Sequence, residues 1–229
     1  MDNYYETINS FLALVKIMTQ TVWIARHGNR LDFVNPEWFN TAERRYDPPL
    51  SDDGVVQAQE LAARLKSEKI AHIFASPFLR TVQTASEVAK VLDIPIKLEA
   101  GICEWLNPNW MDVAPETHPP ELLAQEFPMI DWEYQSLVTP QYPETENRLY
   151  QRTADTVNKL VQNFSENILI VGHGASVLGM AKGLVAQNLI FKVSICSLTK
   201  VINYNDNWQM ELIADTSHLS QQQQQFRLN

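Results

Sequence analysis

The stretch "TVWIARHGNRLDF" (21–33) decides the fold. Five mostly apolar residues, 21–25, run without a break into Arg26, His27 and Gly28, and Arg30 and Asp32 follow at once. A short apolar run rich in β-branched and aromatic residues reads as a buried strand. Charge delivered at the end of such a strand needs a partner, because an unpaired buried cation is costly.

The same pattern recurs. "AHIFAS" (71–76) reads as a strand that runs into a helix, "PFLRTVQTASEVAKVLD" (77–93), with Ser76 as N-cap and Pro77 at the first helical position. "NILIVG" (167–172) reads as a strand that runs into His173, Gly174, Ala175 and Ser176 and then a helix over 175–186. Ser176 either holds that helix start beside His173 or simply caps it. Between these, 50–69 reads as a helix capped by Ser51, with Val55, Ala58, Leu61, Ala62 and Leu65 on one face. Strands are predicted at 94–99, 192–204 and 208–214, and a long helix at 144–164. Residues 105–143, rich in Pro and Trp, read as an insertion with one short helix near 119–126.

This alternation predicts a three-layer α/β/α sandwich with a mainly parallel sheet. The organisation expected is a domain over 18–215, an N-terminal extension over 1–17 and a Gln-rich tail over 216–229. The extension either precedes a true start at Met18 or forms an amphipathic helix covering an edge of the fold.

The 229 residues carry 18 Lys and Arg against 27 Asp and Glu, a formal net charge of −9. That balance argues against nucleic acid and anionic membrane as partners. A phosphorylated small molecule or phosphopeptide is still accommodated, because it needs only a local basic cluster. No window is long and apolar enough for a transmembrane helix, and the first twenty residues lack a signal-peptide pattern, so a cytoplasmic location is expected. Cys103 and Cys196 are the two cysteines. Neither is followed six positions later by Arg (109 is Asn, 202 is Ile), which excludes the Cys-x5-Arg phosphatases. The five histidines are scattered without metal-ligand spacing, so neither a metal nor another cofactor is expected.

In a parallel sheet, ligands sit beyond the carboxyl ends of the strands. Arg26, His27, Arg80 and His173 then converge on one edge. The helix starts there offer backbone N–H groups, those of Gly174 and Ala175 among them, and a partial positive charge. Such a site suits a phosphoryl group, gripped bidentately by guanidinium. Gly28, Gly172 and Gly174, three of only seven glycines, stand where the backbone is expected to turn sharply or approach a ligand. Phosphate monoester hydrolysis is among the slowest of uncatalysed reactions, with enzymatic gains near about 10²¹. A neutral imidazole can attack phosphorus and split it into two steps. The other histidine and the arginines would stabilise the equatorial oxygens. A carboxyl must protonate the leaving oxygen. Glu104 stands at a strand end, with burial expected to raise its pKa. Asp112, Glu116 and Glu121 in the insertion are the competing donors. Arg30 either extends the phosphate pocket or forms a loop salt bridge with Asp32. Trp38, Tyr46, Trp105, Trp110 and Trp132 are candidates for the walls of the site.

"RHG", "SPFLRTVQTA", "EAGICEW" and "VGHGAS", in this order, resemble the histidine phosphatase superfamily, with its phosphoglycerate-mutase-like fold. The resemblance is nearest to the phosphatase domain of the suppressor-of-T-cell-receptor-signalling proteins and their microbial relatives. Asn29 departs from the Glu usual there. The resemblance implies a metal-independent phosphomonoesterase. His27 would be the phosphorylated nucleophile, Arg26, Arg80 and His173 would bind the phosphoryl group, and Glu104 would be the proton donor. It also implies a homodimer, a mutase as the alternative activity, and, on the same fold, non-catalytic phosphate-binding modules of larger assemblies.

Overall fold

The computed structural model describes residues 19–187 and 189–220. The expectations for 1–17 and for the glutamine run at 221–225 lie outside the described residues. Among the described residues, six strands form one sheet: β1 (Thr19–Arg26), β2 (His72–Ala75), β3 (Ile96–Leu98), β4 (Ile168–Gly172), β5 (Leu198–Tyr204) and β6 (Asn207–Asp215). Their order is β3-β2-β4-β1-β5-β6. The first four in that order are parallel, and β5 and β6 close the sheet antiparallel. The helices are α1 (Leu31–Val34), α2 (Trp38–Thr41), α3 (Asp52–Leu65), α4 (Leu79–Leu92), α5 (Pro120–Glu126), α6 (Glu146–Asn163) and α7 (Gly174–Val185). The mainly parallel α/β architecture is as expected.

The central strands are apolar on both faces because helices cover both. Side chains alternate along β1: Trp23 and Ala25 join Leu61 and Leu65 of α3 and Ala85 and Val88 of α4 in one core. Val22 and Ile24 join Val157 and Leu160 of α6 and Val177 and Met180 of α7 in the other. Residues 216–220, expected to begin the tail, fold back here, and Leu219 is buried in the first core.

Register then places the site. Arg26 pairs with Gly172, and Ala75 pairs with Val171. The His27 N–H donates to the Gly172 carbonyl at 3.1 Å, and the Ser76 N–H to that of Val171 at 3.0 Å. Three strands therefore end level, and His27, Ser76 and His173 leave the sheet side by side. Among the described residues, no helix is long and apolar enough to cross a membrane.

One local expectation is corrected and another is narrowed. Helix α4 begins at Leu79, and Ser76 is not its cap. The cap comes from far along the chain: Asp47 Oδ1 accepts the Leu79 N–H at 2.7 Å. The glycines at the site do not sit in a left-handed turn, for none has positive φ. Gly28 instead lies against the backbone of Gly54, whose carbonyl oxygen would stand 2.5 Å from any Cβ at 28.

Candidate active site

His27 is fully buried just past β1. Its Nδ1 lies 2.7 Å from the Gly28 carbonyl oxygen, which can only accept, so Nδ1 carries the proton. Nε2 is buried, has no hydrogen-bond partner among the described residues and keeps a free lone pair. Burial, and then the charges of Arg80, His173 and Arg26, hold its pKa well below 6.5, so the ring is neutral.

His173 caps α7, its backbone N–H donating to Ser176 Oγ at 2.8 Å. Ser176 thus holds the helix start, and His173 is the cap. The ring stands edge-on to that of His27, centroids 5.3 Å apart. Nε2 lies 2.9 Å from Ser76 Oγ, and Nδ1 lies 3.2 Å from Arg80 Nη2 and 3.4 Å from Glu104 Oε2. Burial first, then Arg80, Arg26 and Arg30, also push this ring toward neutrality. A ring nitrogen of each histidine and a Glu104 oxygen all lie within 4.8 Å of one another. Two of the five histidines that look scattered in sequence thus form a three-donor cluster with Glu104 in space. Arg80 Nη2 stands within it and Arg26 close by, a charge environment that favours an anion over a cation.

Arg80, in the first turn of α4, reaches Glu104 Oε2 at 3.3 Å and Asp47 Oδ1 at 3.9 Å, and stacks on the Phe78 ring at 4.8 Å. Arg26 donates to the Val193 carbonyl at 2.8 Å, and its guanidinium lies 3.4 Å from where a Gly174 Cβ would be. That is an ordinary contact distance, and the φ of Gly174 is not positive, so neither a clash nor a left-handed turn requires glycine at 174. Gly174 and Ala175 open α7 half-buried and do not line the cavity described below.

Glu104 corrects a further expectation. Burial does raise its pKa, but Arg80, Arg30 and His27, together with the Trp105 N–H at 3.0 Å, outweigh burial and bring the net value below normal. Its carboxylate is ionised in the ligand-free protein. Of the competing acids, Asp112 pairs with Arg45 at the rim and is largely exposed, and Glu116 and Glu121 are exposed away from the cavity.

A cavity of about 220 Å³ reaches this cluster at Arg80 and Glu104, while Arg26, His27 and His173 are buried and are not among its lining residues. Charged Arg30, Arg45, Arg80 and Glu104 line it together with the aromatic rings of Phe33, Phe39, Tyr46 and Trp110. Of the aromatic candidates, Tyr46 and Trp110 line it, Trp105 packs behind Trp110 at 4.9 Å, and Trp38 and Trp132 do not reach it. Arg30 is both pocket residue and loop ion pair, its Nε donating to Asp32 Oδ1 at 2.9 Å. Asn29 turns away: its side chain donates to Asp53 at 2.8 Å, and Asp32 supplies Arg30 with a carboxylate. Sequence reasoning missed Asp47, Ser76 as a histidine partner, Phe33, Phe39 and Arg45. Only Asp47, an acid in an apolar "YDPP" context, left a local trace. Both cysteines are free and buried, with thiol pKa values raised by that burial.

Residues 22–216 match the family model of the histidine phosphatase superfamily, branch 1. The chain is similar to the transcription factor tau 55 kDa subunit of Saccharomyces cerevisiae, 36% identical over 75% of this chain and 42% of that protein. It is similar to the ecdysteroid-phosphate phosphatase of Drosophila melanogaster, 25% identical over 82% of this chain and 31% of that protein. It thus spans less than half the length of either. A probable phosphoglycerate mutase of Shigella boydii is 29% identical over 86% of this chain and 94% of its own length. In fold the chain is similar to the crystal structure of the ecdysone phosphate phosphatase from Bombix mori, in complex with tungstate, with a TM-score of 0.72 at 21% identity, covering 86% of this chain and 93% of that one. Since these relatives include phosphatases, a mutase and a transcription-factor subunit, the assignment rests on the family match and on the strand-end histidines and arginines: the chain belongs to the histidine phosphatase superfamily, branch 1.

Proposed function

We propose that the chain is a metal-independent phosphomonoester hydrolase acting through a phosphohistidine at His27. One observation carries this reading. The Nδ1–H bond to Gly28 leaves Nε2 deprotonated, unpartnered and buried beside Arg80, Glu104 and His173. Such a nitrogen is a nucleophile in waiting.

In the first step, Nε2 forms a bond to phosphorus and the ester P–O bond breaks in line. Arg26, Arg80 and His173 hold the equatorial oxygens, and Arg30 extends this grip toward the cavity. Glu104 donates a proton to the leaving oxygen. Because Glu104 is ionised in the free protein, it takes up that proton from solvent as the substrate binds. The phosphoryl dianion neutralises Arg80 and adds like charge beside the carboxyl, and both effects raise its pKa. In the second step, water attacks phosphorus, Glu104 accepts its proton, and phosphate leaves His27 free. The aromatic walls favour a small-molecule or peptide leaving group with an apolar face.

The test is turnover of p-nitrophenyl phosphate in EDTA by the wild type and by His27→Ala. Turnover in the first, and its loss in the second, is expected, with acid-labile phosphate trapped on His27. Phosphate trapped elsewhere would refute the mechanism. A second reading, a phosphate-binding assembly module, is favoured by the 36% identity to the yeast tau subunit. It predicts phosphate binding without hydrolysis of any ester.

A further inference from the structure

Glu104 does not stand on a strand or helix. It follows a single 3₁₀ turn (Ala100–Ile102), where carbonyl groups have no ladder to bond to. Buried carbonyls of this kind need donors from elsewhere. One side chain supplies three of them. Arg152, buried on α6, donates from Nη1 to the carbonyls of Gly101 at 2.9 Å and Cys103 at 3.3 Å, and from Nη2 to that of Glu104 at 3.2 Å. Its remaining donors engage Glu144, Nε to Oε1 at 2.7 Å and Nη2 to Oε2 at 2.8 Å. Glu144 is itself buried and tied to the segment just beyond Glu104, for its backbone N–H donates to the Leu106 carbonyl at 2.9 Å and its carbonyl accepts from Trp105 Nε1 at 3.0 Å. A planar five-donor fork can span three carbonyls and a carboxylate, and an ammonium cannot.

We infer that Arg152, locked by Glu144, is a positioning residue for the proton donor. It fixes the 101–104 backbone so that the Glu104 carboxyl meets the leaving oxygen. It touches neither substrate nor the reacting atoms. The inference rests on the phosphomonoesterase reading and extends it to a residue on the far side of the segment.

Arg152→Lys keeps the charge beside Glu144 and removes the fork. The readout is kcat/KM, which reports formation of the phosphohistidine, for two esters. p-Nitrophenyl phosphate has a leaving group stable without protonation, and glycerol 2-phosphate has an alkoxide that must be protonated. Misplacing the acid should cost about 10²-fold on glycerol 2-phosphate and less than about threefold on p-nitrophenyl phosphate. An equal loss on both esters, or none, overturns the inference, because a merely structural role does not distinguish leaving groups. If thermal melting shows that Arg152→Lys does not fold, Glu144→Gln is read by the same ratio and decides. If the wild type hydrolyses neither ester, the phosphomonoesterase reading itself has failed and the inference goes with it.

Discussion

Ser76 Oγ and His173 Nε2 lie 2.9 Å apart across the ends of two adjacent parallel strands. With Arg80 Nη2 facing Nδ1, this contact sets the orientation of the ring. Ser76→Ala removes the partner with almost no change in volume. Loss of one such hydrogen bond costs about 1 kcal/mol of stability, and kcat/KM on p-nitrophenyl phosphate should fall about tenfold while the melt stays cooperative. Unchanged kinetics would mean that Arg80 alone orients His173.

Stability should fall as pH drops below the ordinary histidine range. His27 and His173 have folded pKa values well below 6.5, and that of His218 is also lowered, chiefly by burial. Above about pH 6.5 these rings are neutral in both folded and unfolded chains and contribute no pH dependence. Below it the unfolded chain takes up protons that the native one refuses. Each histidine then removes up to about 1.4 kcal/mol per pH unit. Denaturant unfolding at pH 7, 6 and 5 should show that decline, and a shallower one in His27→Gln.

Activity should behave differently over the same range. Because His27 is still neutral well below pH 6.5, its nucleophilicity persists where an ordinary histidine would be lost. The kcat/KM profile should carry no acid limb at the usual histidine pKa. An acid limb near pH 6.5 would show that the ring titrates normally.

Asp47 joins three groups: the Leu79 N–H that starts α4, Arg80, and His118, whose backbone N–H and Nδ1 both lie 2.9 Å from Oδ2. Asp47→Ala leaves a buried helix-start donor unpaired at a cost of about 1–3 kcal/mol. It also releases Arg80, so KM should rise. The measurements are the thermal midpoint and the substrate dependence of turnover.

Gly28→Ala should be among the most damaging single changes. A methyl group would stand 2.5 Å from the Gly54 carbonyl oxygen, backbone against backbone, with no flexible side chain to yield. The loop after β1 must move off α3 and take His27 with it. Turnover should be lost, and the melting temperature should drop by several degrees.

The sequence alone determined the elements and the edge to which they bring the two histidines. Apolar runs ending in Arg26-His27-Gly28 and Gly172-His173-Gly174 are local patterns, and a parallel sheet carries such strand ends to one side whatever surrounds them. Glu104, too, was legible from its place after a strand. What the tertiary structure decided depends on partners distant in the chain. Ser76 looked like a cap, but Asp47 caps α4 from 32 residues away and frees Ser76 for His173. The pKa of Glu104 looked set to rise with burial, but Arg80 and Arg30 converge on it and reverse the sign. Nothing local in the long helix marks Arg152, and its part comes from Glu144 and the 101–104 carbonyls closing around it. Periodicity reports which face of an element is buried. Which charges and donors meet inside is fixed by strand register and loop path, and these exist only once the chain has folded.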